Sequence, residues 1–358
     1  MNTIKKILFF TIISFGLSSL FAQDSTSYSV PAHKFSHTIC KFYTDADFAY
    51  VREQENPTIV WEKSVAEPFN ELIVSWNALR PTVGFMTIWV SVKYKGEWSS
   101  WHRLAQWGSR FQRTFVNKLN RFVHTKHCRV EMQKQSLARG FRVKVVFNKG
   151  AQPENLRALF GCASRLNHFK FIRPRRDLPS VAVKGLPRQS QMVLDHPRCR
   201  DLCSPTSTSM IAAYYYEKLY GIKPTDSMHD YAIDFAEKAY DQGYLDIYGN
   251  WILNVAQAFD STNGQVYFRV ERLNSFYDLY HYLSRKIPVA VSVRRLRGGA
   301  TPYANGHILV VVGWNRQKGC VLCVDPAFNK SLLKAYPLNN FLRAWSRSSN
   351  LAYVPMPR

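Results

Sequence analysis

Acidic side chains are scarce in this 358-residue sequence, where 25 Asp and Glu face 48 Lys and Arg and leave a formal net charge of +23. The shortage is sharpest between residues 101 and 180, which hold 3 acidic against 18 basic residues. Such a block fits contact with a polyanion, and in an exported chain that means phosphate-bearing or acidic envelope polymers before nucleic acid; a solvated basic surface is the competing reading. Long apolar runs are lacking too. The run from Ile7 to Phe21 is shorter than the ~20 residues of a spanning helix, and no later segment is long and uncharged enough to cross a bilayer. With Lys5 and Lys6 before it and Ala22 at its exit, it reads as a secretory signal peptide. Cleavage near Ala22 and a secreted or periplasmic protein are expected, and no Cys follows the run to take a lipid. Metalloprotease H-E-x-x-H, Walker and G-x-G-x-x-G patterns are absent. Cys320-Val-Leu-Cys323 has a metal-site spacing but no second pair, and positions i and i+3 of a strand point to opposite faces. No metal and no cofactor are expected.

What is present is globular in composition and too long for one core, so two domains follow. From about Pro57 to Arg165 the chain shows period-two runs rich in Val, Ile, Trp and Tyr, such as Glu71 to Trp76, Phe85 to Tyr94 and Phe141 to Phe147. These read as antiparallel strands of a β-sandwich spanning 23–172. The basic, proline-punctuated stretch 173–184 suits a linker. In 185–358 a helical run begins at Pro205, and further helices are expected near Asp226 to Tyr240, Asn250 to Phe259 and Asn274 to Arg285, the first and third of these capped by Asp226 and Asn274. Strands follow at Ile287 to Val293, His307 to Trp314 and Val321 to Val324. Helices first and antiparallel strands afterwards make an α+β domain.

Chemistry gathers in this second half. Cys203, in Leu202-Cys-Ser-Pro-Thr-Ser207, stands just before a helix whose free N–H groups and dipole favour the thiolate, the form that attacks. Seven cysteines leave one thiol over whatever the others do. A thiolate needs a base, and Gly306-His307 opens an otherwise apolar strand; Asp325, in Val324-Asp-Pro326, closes the next one. If the two strands form a hairpin, His307 and Asp325 meet at one end, and Asp325 holds the imidazole tautomer. An oxyanion donor completes the set, for which the side-chain amide of Gln191 is the candidate and Gln189 its competitor. A buried structural Cys, a strand-end His and an Asp-Pro turn are the bland alternatives for each part alone.

The ordered motifs Ser190-Gln191, Cys203-Ser-Pro-Thr-Ser-Thr-Ser-Met210, Tyr248-Gly-Asn-Trp251, Ile287-Pro-Val-Ala-Val-Ser292, Gly306-His307 and Val324-Asp-Pro-Ala327 resemble the papain-like, bacteriocin-processing (double-glycine) peptidase family, in its exported stand-alone branch. The resemblance implies Cys203 as nucleophile, His307 as base, Asp325 as orienter and Gln191 as oxyanion donor. The run Leu72 to Ala78, with Glu97-Trp-Ser-Ser-Trp-His102 and Gln106-Trp-Gly108, resembles the β-sandwich that precedes such domains in some exported members. The gap from Gln191 to Cys203 is longer than the family pattern, and it contains His196 and Cys199. The reading is a secreted cysteine hydrolase that cleaves peptide amide bonds through a thioester acyl-enzyme. Its partners are a peptide or protein substrate and, through the N-terminal domain, an anionic envelope polymer, with nucleic acid not expected. The alternatives are amidase, isopeptidase or acyl-transfer chemistry on the same triad, and a basic envelope-binding protein without turnover.

Overall fold

In the N-terminal half, strands alternate inward and outward side chains and close over one another as two sheets. The computed structural model describes residues 34–118, 121–126, 128–174 and 177–357, so the signal-peptide segment lies outside the described residues. The first sheet runs Ser36–Phe42, Leu156–Ser164, Glu71–Ala78, Arg129–Met132, Val123–Lys126, and the second runs Thr58–Phe69, Ala138–Asn148, Phe85–Tyr94, His102–Gly108, Gln112–Thr114. Every pairing in both is antiparallel. The strand Ala138–Asn148 shows the period plainly: Phe141, Val143, Val145 and Phe147 are buried, while Arg142 and Lys144 face outward. Gly161 is required where the sheets meet, because a Cβ there would stand 2.6 Å from the Phe141 ring. The strand Glu71–Ala78 is buried at every position, so both its faces are covered.

The second half is helices packed on a third antiparallel sheet, ordered Tyr267–Arg272, Leu351–Met356, Val289–Val293, His307–Asn315, Cys320–Val324, Leu333–Pro337. Its helices are α1 (Cys203–Tyr220), α2 (Met228–Ala239), α3 (Trp251–Ser261), α4 (Phe276–Ser284) and α5 (Leu338–Ser346). The architecture is the expected one, a β-sandwich followed by a papain-like α+β domain. Among the described residues no helix is long and apolar enough to cross a membrane.

α1 begins at Cys203, two residues before the expected start, and places Pro205 in the first turn, where its missing N–H has no intrahelical acceptor to lose. From Ser204 to Tyr215 it is buried throughout, and of its small hydroxyl residues Ser204, Ser207, Thr208 and Ser209 find internal partners while Thr206 Oγ1 has none. Ser207 Oγ donates to Ile308 O (3.0 Å), Thr208 Oγ1 to Ser204 O (2.8 Å) and Ser209 Oγ to Thr206 O (3.0 Å). The first of these ties the helix to the strand that His307 opens. α1 ends at Gly221, whose φ of 69° closes it on Glu217 O.

Two expected caps are corrected. Ser227 and Ser275, not Asp226 and Asn274, cap α2 and α4; Asn274 instead binds the backbone of Phe35 and Ser36. Within the segment read as linker, Val181–Ala182 pairs with His307–Asn315 and Leu178 O accepts from Trp314 Nε1 at 2.9 Å.

Candidate active site

Strand pairing brings the carboxylate to the imidazole. His307–Asn315 and Cys320–Val324 form the antiparallel hairpin, with Val310 opposite Val324, so Asp325, just past the second strand, returns to the end where His307 sits. His307 Nε2 and Asp325 Oδ1 are 2.8 Å apart, both buried at 5% and 0% exposure. Gly306, at a φ of 108°, supplies the left-handed turn into the strand.

With Nε2 committed to Asp325, Nδ1 is the ring nitrogen left for the hydrogen bond to Cys203, which stands at the start of α1 and keeps part of its surface open. Burial would raise the Cys203 thiol, but the hydrogen bond and charge of His307, with backbone contacts from Ile308 and Ser204, bring it below its usual value. Burial would lower His307, but hydrogen bonds to Asp325 and Cys203 raise it to about 9. Asp325, which burial would raise, is held below the usual carboxylate range by His307 and Tyr336. These directions favour the thiolate of Cys203 and the imidazolium of His307, backed by a carboxylate.

Two tyrosines belong to this cluster that sequence reasoning missed. Tyr303 lies flat on the His307 ring, with centroids 4.0 Å apart and planes at 15°, and donates its hydroxyl to Asp325 Oδ2 at 3.0 Å. Tyr336 donates to the same oxygen at 2.7 Å, and Ala327 N–H donates to Oδ1 at 3.1 Å. A buried carboxylate needs more donors than one imidazole, which is a signal that others exist; nothing in the sequence says which.

Gln191 is buried beside the loop that precedes Cys203, but its amide is not free for an oxyanion. Nε2 donates to Cys199 O (3.0 Å) and Arg200 O (2.9 Å), which uses both its hydrogens, and Oε1 has no partner. The long gap from Gln191 to Cys203 folds into a turn of 3₁₀ helix, Cys199–Asp201, and the amide braces it. Gln189 donates to Ser190 O at 3.0 Å. At the start of α1, Leu202 offers no side-chain cap, and the Cys203 N–H has no intrahelical acceptor. Among the described residues no cluster of His, Cys, Asp and Glu could hold a metal ion, and all seven cysteines are free thiols.

Residues 183–353 match the model of the Peptidase_C39 like family, and residues 58–147 match that of the Peptidase C39 N-terminal domain. No curated protein matches the chain. Among solved structures it is similar to a Bacillus anthracis protein described as a C39-like peptidase, with 18% identity over 51% of this chain and 99% of that one and a TM-score of 0.37. Residues 183–353 thus carry a domain of the Peptidase_C39 like family behind a segment that matches the N-terminal domain of such proteins, and the chain is a cysteine peptidase.

Proposed function

We propose that Cys203, His307 and Asp325 form the triad of an exported peptidase that works through a thioester acyl-enzyme. The Cys203 thiolate attacks the scissile carbonyl, and the oxyanion that forms is stabilised by the Cys203 N–H at the helix start. The His307 imidazolium then gives its Nδ1 proton to the departing amine as the C–N bond breaks, leaving the acyl group on sulfur. Neutral His307 takes a proton from water, whose oxygen attacks the thioester and releases the acid and the thiol. Asp325 keeps the imidazole oriented and its charged form stable without taking the proton; Tyr303 and Tyr336 hold the carboxylate. Export rests on the N-terminal sequence from Lys5 to Ala22. The N-terminal half is read as holding the enzyme on an anionic polymer, on the basic excess of residues 101–180.

The observation that carries the catalytic reading is the grouping of Cys203, at the start of α1, with His307, whose Nε2 stands 2.8 Å from the buried Asp325 carboxylate. Iodoacetamide at neutral pH is expected to label Cys203 selectively and to lose that selectivity in His307→Ala. Cys203→Ala is expected to abolish peptide hydrolysis with the fold intact, and Cys199→Ala to keep most of it. An essential Cys199 with a dispensable Cys203 would overturn the assignment.

A further inference from the structure

On the solvent face of the second sheet, aromatic rings and cations alternate. The Arg142 guanidinium lies 4.7 Å from the Trp98 ring centroid and 4.5 Å from that of Trp101. Lys144 Nζ follows at 4.7 Å from Trp101 and 5.4 Å from Trp89, and Arg103 at 5.9 Å from Trp89 and 3.9 Å from Phe115. The register fixes this order, because Lys144, Trp89 and Arg103 stand opposite one another on three adjacent strands. The row borders a groove of about 970 Å³ lined by Trp89, Trp101, Arg103, Arg113, Lys118 and, from the peptidase half, Tyr244.

The charges in this row are not neutralised from within. Elsewhere in the basic block, Arg129 pairs with Glu71 and Glu131 and Arg157 with Asp45. Among the described residues, no carboxylate forms an ion pair with Arg103, Arg113, Lys118, Arg142 or Lys144. Glu62 stands across from Arg142 in the register without forming an ion pair with it, and an exposed cation–π contact returns only ~0.5–1 kcal/mol. The arrangement therefore leaves this line of cations open to an anion from outside. The faces of Trp89, Trp98 and Trp101 already carry cations, so the row offers positive charge along a line rather than open rings on which bases could stack.

We propose that this face is the binding site of an anionic polysaccharide, whose acid groups lie along Arg103, Arg113, Lys118 and Lys144. The proposal rests on the reading of the N-terminal half as polymer-binding and locates it. The test uses the full chain with heparin and with polygalacturonate, followed by tryptophan fluorescence across a salt series. The combined variant Arg103→Gln, Arg113→Gln, Lys144→Gln is compared with Lys223→Gln, Lys318→Gln, Lys330→Gln, which has the same net charge. Wild type is expected to bind at low salt with an affinity that falls steeply as salt rises, and the groove variant to bind about tenfold or more weakly. The control variant is expected to bind as wild type does, and both to hydrolyse a small neutral peptide at the wild-type rate. Arg103→Gln and Lys144→Gln made singly, each with an unchanged near-ultraviolet dichroism spectrum, keep the test open if the combined variant misfolds. Absence of binding by wild type at low salt would sink the polymer reading itself. Equal losses in groove and control variants would leave that reading and overturn the location. Tighter binding of a single-stranded oligothymidine than of either polysaccharide would overturn the ligand class.

Discussion

Asp325 accepts from His307, Tyr303, Tyr336 and Ala327, and this concentration of donors on one buried carboxylate sets the protonation of the site. Because folding raises His307 to about 9, the imidazolium is the folded-state form through neutral pH. Its stabilising contribution is complete below ~6.5 and is lost as pH rises through about 9. kcat/KM is therefore expected to fall on the alkaline side near that value, as the proton for the leaving amine is lost. Asp325→Asn still accepts from Nε2 but removes the charge, so the alkaline limb is expected to move to lower pH and kcat/KM to drop about tenfold. An unmoved limb would show that the carboxylate does not set the titration. The candidates Cys203, His307 and Asp325 were legible because each sits where one local rule applies: a helix start, a strand head, a strand end. Gln191 was legible as a polar residue near the thiol but not in its partner, since the turn at Cys199–Asp201 that takes its hydrogens has no period to read. Gln191→Ala separates the two roles: a loop brace predicts slower alkylation of Cys203 by iodoacetamide as well as slower hydrolysis. A pure oxyanion donor predicts slower hydrolysis alone, because alkylation forms no oxyanion.

Among the elements, the strands Glu71–Ala78 and Tyr267–Arg272 show how the accessory half reaches the catalytic half. Glu71 and Arg272, 1% and 6% exposed, make a two-pronged pair at 2.5 and 2.9 Å, and Arg129 adds a third contact to the carboxylate at 3.2 Å. Asn77 exchanges two hydrogen bonds with the Phe268 backbone, at 2.6 and 2.7 Å, as a neighbouring strand would. Glu71→Gln leaves Arg272 buried without its counter-charge and is expected to destabilise the chain by ~3–5 kcal/mol, read as a lowered urea midpoint. A change below ~1 kcal/mol would place the pair with surface ion pairs. The alternation of Phe85 to Tyr94 and the apolar run after His307 gave their strands away in advance. Tyr267–Arg272, Leu333–Pro337, Leu351–Met356 and α5 were not seen, because they are short and their burial comes from neighbours distant in sequence. The caps failed for a related reason: Ser227 and Asp226 are both good cap residues, and tertiary packing chose between them.

At the scale of the whole molecule, the proline-rich stretch between the halves reads as a joint between separable domains, yet the contacts across it are those of a shared core. α3 is buried from Ile252 to Phe259, so a helix that would show a solvent face in a free domain is covered on all sides, in part by the strand Glu71–Ala78. Asp241, fully buried, accepts from Thr114 N and Oγ1 in the sandwich and from Asn250 Nδ2 at the start of α3. Arg80 stacks on Trp107 at 3.8 Å and donates to Gly108 O and Gln112 Oε1 on its own side and to Lys238 O and Gln257 Oε1 on the other. Each of these polar groups loses its partners across the joint if either half unfolds, and a buried polar group left without one costs ~1–3 kcal/mol. Residues 34–357 are therefore expected to unfold as one cooperative unit. At ~0.7 kcal/mol per residue the calorimetric enthalpy is on the order of 200 kcal/mol near 60 °C, and the van't Hoff enthalpy should equal it. Two independent domains would instead give a van't Hoff value near half of the total and a peptidase half, residues 173–358, that folds and hydrolyses peptide alone. The contacts of α3 and Asp241 predict that this fragment aggregates when expressed without the sandwich, and that co-expression of the two halves as separate chains restores soluble, active enzyme.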